Sequence, residues 1–153
     1  MPAPTRTEPG LSTREEMSVS SAAMSGAPWA AAGVTGAVVT GGDLALHLIG
    51  GSIFSLHALS GSLSLGVVAF LVVAAGAVAL SKRGGRTARW VRNNPWRFAV
   101  LPGAVCAAIV FVLSVVLGGG VFDGIWSALW HGAATYGLTG LAGSIGGSRH
   151  RRD

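Results

Sequence analysis

The feature that most constrains this chain is the scarcity of charge along two long stretches. The only formally charged side chain in residues 17–81 is Asp43, and the only one in residues 98–148 is Asp123. Overall, 11% of the residues are charged and 50% are hydrophobic, whereas soluble domains are about 25% charged. A soluble fold of 153 residues could not cover its surface with so few charges. Both stretches are therefore expected to lie in lipid.

Four segments have the length that a membrane crossing requires. The hydrocarbon core is about 30 Å thick, and a helix rising about 1.5 Å per residue needs about 20 apolar residues to cross it. Residues 58–80 and 95–117 contain uninterrupted runs rich in Val, Leu and Ala. Residues 28–50 and 124–146 are also long enough, although Gly, Ser, Thr and His dilute them. These patterns predict an all-α integral membrane protein with a bundle of about four transmembrane helices.

The predicted membrane domain, residues 27–148, lies between two polar ends. Residues 1–26 contain Pro, Ser, Thr and mixed charge, a composition that predicts a disordered cytoplasmic tail. Residues 149–153 form a short basic C-terminal tail. Asn94 before Pro95 is typical of a helix start, and Asp123 is expected to cap the fourth helix.

The loop of residues 81–97 sets the expected orientation. It contains six positive and no negative side chains, and Lys and Arg beside membrane spans stay on the cytoplasmic side. Two crossings after the loop return the C-terminus to the cytoplasm. The N-terminus is also cytoplasmic if residues 28–50 span, and outside if they do not. The location predicted is the cell membrane, with multiple crossings.

The same loop is expected to contact anionic lipid headgroups, at about 1 kcal/mol per nearby cation. Topology and lipid contact explain the positive charge without a nucleic-acid partner, and none is expected. A cytoplasmic protein or nucleic-acid partner is the alternative. The residues predicted to contact lipid headgroups are Lys82, Arg83, Arg86, Arg89, Trp90, Arg92, Trp96 and Arg97.

Small residues recur in the fourth segment at helical spacing. Ala133 and Gly137 form one four-residue interval, and Thr139, Gly143 and Gly147 form a second series. Small side chains let helix backbones approach closely in lipid, where packing drives association. These residues are predicted to pack helices, either within one chain or between copies in a homo-oligomer or larger membrane complex.

Four polar side chains are candidates for a proton or ion path. Asp43 and His47 share one helix face because they are four residues apart, and His57 and His131 lie in the following segments. A carboxylate at bilayer depth usually faces a cavity or a partner and often marks a proton or ion path. The alternative is that Asp43 caps a broken helix near the membrane surface. No His or Cys spacing matches a metal motif, so neither a metal nor another cofactor is expected.

No catalytic residues are predicted, because no phosphate-binding loop and no Gly-x-Ser-x-Gly motif occurs. The leading hypothesis is a non-enzymatic, self-associating membrane component: a scaffold, an accessory subunit or a pore-former. The alternative is a small proton- or ion-coupled transporter or channel that uses Asp43 and His47. In its small size, few spans and charged tail the chain resembles phage holins and the small hydrophobic spread proteins of actinobacterial conjugative plasmids, but the likeness covers no motif.

Overall fold

The computed structural model describes residues 12–51, 55–80, 86–117 and 119–149. Within these ranges the regular elements are all α-helices. They are α1 (Thr13–Met24), α2 (Trp29–Ile49), α3 (Leu56–Leu80), α4 (Arg86–Asn93), α5 (Pro95–Val116) and α6 (Gly120–Arg149). Three of them, α2, α3 and α5, are long and apolar enough to cross a membrane, as is typical of a membrane-embedded protein.

The long helices lie close to the four segments that the sequence singled out. Helices α2, α3 and α5 begin and end within about two residues of the predicted bounds. Helix α6 covers the fourth segment and extends past both of its ends. It is not among the three helices that meet the length and hydropathy required of a span. Its first residue is Gly120, so Asp123 lies in its first turn and the prediction that Asp123 is the cap was wrong.

The N-terminal prediction of a disordered tail was wrong for the residues that the structure describes. Helix α1 occupies residues 13–24 and begins with a capping box at Ser12 and Glu15. The Ser12 backbone N–H donates to the Glu15 carboxylate at 2.8 Å, and the Glu15 N–H donates to the Ser12 hydroxyl at 3.4 Å. The composition of the segment does not reveal this signal, because the capping box depends on a Glu three positions after a Ser and not on how many of each are present. Residues 1–11 lie outside the described part.

The basic loop also contains more structure than predicted. Residues 86–93 form α4, whose Val91 is fully buried against the bundle. Helix α1 packs on α3, α4 and α5, so α1 and α4 lie together over one end of the long helices. We call this the basic end, and the opposite end the far end.

Two antiparallel helix pairs form the bundle, each through a contact between glycines. In the α2–α3 pair, a Cβ added to Gly66 would lie 2.9 Å from the Gly36 carbonyl oxygen. In the α5–α6 pair, a Cβ added to Gly132 would lie 3.1 Å from the Gly103 carbonyl oxygen. Helix α3 is central, since it contacts α2, α5 and α6. Helix α2 contacts only α3 among the described helices and lies at the edge.

Helix α6 runs along the whole length of α5. Near the far end, Gly124 of α6 faces Phe111 and Val115. At the basic end, Gly143 of α6 faces Pro95, the first residue of α5. Helix α6 therefore extends at least as far as α5 toward both the basic end and the far end.

Candidate functional site

The four residues predicted to form a proton or ion path fall into two separate groups. Asp43 and His47 lie on α2 at the edge of the bundle. His57 and His131 line a cavity at the far end, together with Asp123. The structure therefore does not join the four residues into one path.

Asp43 connects α2 to α3. The Ser62 hydroxyl of α3 lies 2.5 Å from Asp43 Oδ2 and 3.0 Å from the Ala58 carbonyl oxygen. His47 Nδ1–H donates to the Asp43 carbonyl oxygen at 2.9 Å, and the same nitrogen lies 3.4 Å from Oδ2. A buried or half-buried carboxylate is costly unless polar groups surround it. Ser62, which is fully buried, supplies a hydroxyl to the carboxylate and so links α2 to α3.

The far-end cavity has a volume of about 330 Å³ and lies between α3, α5 and α6. Its wall is rich in hydroxyl and imidazole groups, so we call it the polar vestibule. Liquid water occupies roughly 30 Å³ per molecule, so the space suffices for several waters. The lining residues are Leu56, His57, Ser60, Gly61, Ser64, Ser114, Leu117, Gly119, Asp123, Ser127 and His131.

His131 is the innermost titratable residue of the vestibule on α6. Its Nδ1 lies 2.7 Å from the Ser127 carbonyl oxygen. Because a carbonyl only accepts, Nδ1 must carry the hydrogen, and in the neutral ring Nε2 is the accepting nitrogen. The Cys106 thiol of α5 donates to the His131 carbonyl oxygen at 3.7 Å. His131 is thus held by contacts on two helices.

Two threonines continue the polar face of α6 beyond His131. Thr135 and Thr139 follow at four-residue intervals and are both fully buried. Neither hydroxyl has a hydrogen-bond partner of good geometry among the described residues, although Thr135 lies beside the Cys106 thiol. A buried hydroxyl without a partner costs about 1–3 kcal/mol. Their burial is therefore unfavourable unless water reaches them.

The residues predicted to pack helices divide between two faces of α6. Thr139 and Gly143 are buried, and a Cβ added to Gly143 would lie 2.7 Å from Pro95 Cβ. Ala133 is exposed, and among the described residues no atom of another helix lies within 4 Å of a Cβ added to Gly137. This first series therefore does not pack against the other described helices. The surroundings of Gly147 lie outside the described part.

Sequence reasoning missed the small residues that bring α6 closest to α5 near the far end. Gly124, Ala128 and Gly132 are buried at four-residue intervals. The same spacing rule that selected Thr139 and Gly143 would have found them. It also would have found the polar series Asp123, Ser127, His131, Thr135 and Thr139, which enters the bundle from the vestibule.

Those residues predicted to contact lipid headgroups that the structure describes lie at the basic end. Arg89 is exposed, and Trp90 and Arg92 are half-buried. Arg97 pairs with Glu16 of α1. Trp96 packs near Tyr136 with ring centroids 5.5 Å apart. Lys82 and Arg83, and the side chain of Arg86, lie outside the described part.

In the part of the chain that the structure describes, no three His, Cys, Asp or Glu side chains are grouped closely enough to hold a metal ion. Comparisons with protein-family models, with curated proteins and with solved structures gave no match to this chain.

Proposed function

We propose that this protein is a non-enzymatic membrane component that crosses the bilayer four times and associates with copies of itself. The supporting observation for the fourth crossing is that α6 accompanies α5 from the far end to the basic end. Helix α6 has 30 residues and α5 has 22, so α6 is long enough to cross wherever α5 crosses, and as a helix it satisfies its own backbone polar groups in lipid.

The orientation we propose puts the basic end in the cytoplasm. Helix α1 packs at this end, and Glu16 of α1 pairs with Arg97 at the start of α5. Both termini then lie on the cytoplasmic side, in agreement with the positive-inside rule. Arg89 and its neighbours on α4 would contact anionic headgroups there.

Labelling of single cysteines tests the crossing number. In a Cys106→Ala background, Ser21→Cys and Ser148→Cys should react with an impermeant thiol reagent from the cytoplasmic side alone, and Ser55→Cys from the opposite side alone. Labelling of Ser148→Cys from the same side as Ser55→Cys would show that α6 does not cross.

Helix α2 is the face that we propose for self-association. It contacts only α3 among the described helices, and its outer side carries small residues at four-residue intervals. These are Gly33, Ala37, Gly41 and Ala45, all exposed. Such a series lets two helices approach closely in lipid. A second copy of α2 fits this face.

The association is tested with Gly41→Ile, which places a large side chain on the exposed series. The matched control is Ala108→Leu, an exposed position on α5. Cross-linking in native membranes should give defined oligomers for the unmodified chain and for Ala108→Leu, and mainly monomer for Gly41→Ile. Equal oligomer yields from both variants would exclude α2 as the interface.

The alternative, a proton- or ion-coupled transporter acting through Asp43 and His47, has less support. Asp43 is engaged in the contact between α2 and α3, and His47 binds the Asp43 carbonyl oxygen within α2, which favours a structural role. If proteoliposomes moved protons and Asp43→Asn abolished the flux while the protein stayed folded, the transporter hypothesis would replace the proposal of a self-associating membrane component.

A further inference from the structure

We propose that the polar vestibule is the mouth of a water-filled passage that delivers protons from the far side of the membrane to His131, and that water continues from there to Thr135 and Thr139. The cavity and the two buried hydroxyls are independent observations, and both point to water as the occupant. The inference rests on the four-crossing arrangement proposed above.

The vestibule has the composition of a hydrated space. Side chains from three helices converge on it, and the polar ones include Ser60, Ser64, Ser114 and Ser127. A water needs two to four polar partners to occupy a site stably. Serine hydroxyls both donate and accept, so this wall can hold waters in either orientation and can pass a proton along them.

His131 is arranged to accept the proton. Since Nδ1–H donates to the Ser127 carbonyl oxygen at 2.7 Å, Nε2 holds the free lone pair of the neutral ring. A hydrated proton would transfer to Nε2 and leave a neutral water, and the resulting imidazolium would keep its bond to Ser127. Release reverses the same transfer.

Few charges surround this ring. Among the described residues, the titratable groups that line the vestibule beside His131 or contact it are His57 of α3, Cys106 of α5 and Asp123 of α6. Asp123 lies in the first turn of α6, about 12 Å up the helix from His131 at 1.5 Å per residue. It would attract cations into the vestibule from there.

The passage ends inside the bundle. Beyond Thr139, α6 meets α5 at contacts too close for a side chain on glycine: a Cβ at Gly140 would lie 2.3 Å from Trp96 Cε3, and one at Gly143 would lie 2.7 Å from Pro95 Cβ. Water entering from the far end therefore stops short of the basic end, so the passage opens on one side only.

Thiol labelling tests the water path on the full chain in lipid vesicles. In the Cys106→Ala background, Ser127→Cys and Thr135→Cys should react with a small charged methanethiosulfonate applied from the far side at least about tenfold faster than Ala133→Cys, because a thiol must ionise in water to react. Ala133 is the matched control: it lies at the same depth on the exposed side of α6.

The outcomes are separable. If all three cysteines react equally fast, the segment is not in a membrane and the proposed crossing fails together with the passage. If Ser55→Cys is labelled from the far side and Ser148→Cys from the cytoplasmic side, but Thr135→Cys reacts as slowly as Ala133→Cys, the crossing stands and the passage is dry, which overturns the proposal.

Proton binding is measured separately by the ¹⁵N spectrum of the imidazoles in lipid nanodiscs, with the His131 signals assigned from His131→Gln. On acidification the signals should change from those of the Nδ1–H tautomer to those of imidazolium. A His131 spectrum that stays that of the neutral tautomer at every pH at which the protein remains folded would refute proton delivery.

Discussion

The two ends of the bundle are built from the same helices but differ in how they close. At the basic end, Phe98 and Val91 are fully buried, and Trp96 and Pro95 lie over glycines of α6. At the far end the corresponding space is lined by serines and imidazoles and remains open. Large side chains facing glycine fill the gap between helices, whereas small polar side chains leave room for water. Side-chain size thus decides which end is sealed.

Enlarging a glycine at the sealed end should have the largest effect. Gly143→Val places a side chain against Pro95, whose ring cannot rotate away, so we expect a loss of about 3 kcal/mol in the free energy of unfolding. The measurement is unfolding in mixed SDS micelles, followed by circular dichroism. Gly61→Val is the control in the vestibule, where a Cβ meets no atom within 4 Å, and it should change stability by about 0.5 kcal/mol or less. Equal losses at both sites would contradict the difference between the ends.

Removing the polar link between α2 and α3 should have the next largest effect. Asp43→Ala leaves the Ser62 hydroxyl with only the Ala58 carbonyl, and we expect a loss of about 1–1.5 kcal/mol. A double-mutant cycle with Ser62→Ala measures the coupling in the same unfolding assay. Strict additivity of the two substitutions would show that the contact contributes nothing to the docking of α2.

Removing the ion pair between Glu16 and Arg97 at the basic end should have a smaller effect on the free energy of unfolding. Arg97 is largely exposed, with 59% of its side chain accessible, so Glu16→Gln should cost about 0.2–1 kcal/mol. Added salt should reduce the difference between Glu16→Gln and the unmodified chain. Arg89→Gln, on the exposed part of α4, serves as the control for losing one charge at this end, and a loss as large as that of Glu16→Gln would show that the effect is not specific to the pair.

The smallest expected effect is a pH dependence at the start of α1. Hydrogen bonds from the Ser12 backbone N–H and then from its hydroxyl lower the pKa of Glu15 below its ordinary value of 4.5. Because the pKa is lower in the folded helix, the stabilisation is present above pH 4.5 and is lost as the pH falls through the folded value. Amide-exchange protection in the first turn should therefore decrease on acidification. Glu15→Gln should show a weak, pH-independent protection, and a parallel pH response in that variant would exclude the carboxylate as the cause.

Much of the helical framework could be predicted from hydropathy. The apolar runs that form α3 and α5 are long enough that only a helix satisfies their backbone groups in lipid. Pro95 marked the start of α5, although Asn94 makes no side-chain cap and instead donates to the Trp90 carbonyl oxygen. Helix α1 was missed because a 12-residue helix depends on its cap and on packing against α4 and α5, which composition does not report.

The candidate site could be predicted only in part. Asp43 and His47 were singled out because charge is rare at that depth, and their four-residue spacing correctly placed them together. Their partner Ser62 is one of many serines in the sequence, and nothing local distinguishes it. His57 and His131 were named without a reason to join them, because the cavity that both line arises from how α3, α5 and α6 pack side by side.

The sequence by itself determined that long helices form and, for α2, α3 and α5, where they begin and end to within about two residues, because a long apolar run in lipid must satisfy its own backbone polar groups. Which faces of those helices meet was decided by the tertiary structure. Close approach depends on small residues from two helices lying opposite each other, as at Gly36 and Gly66. The sequence of one helix does not show which residue of another helix will lie opposite. The vestibule exists for the same reason: it is the space that remains where three helices present serine, histidine and glycine to one another.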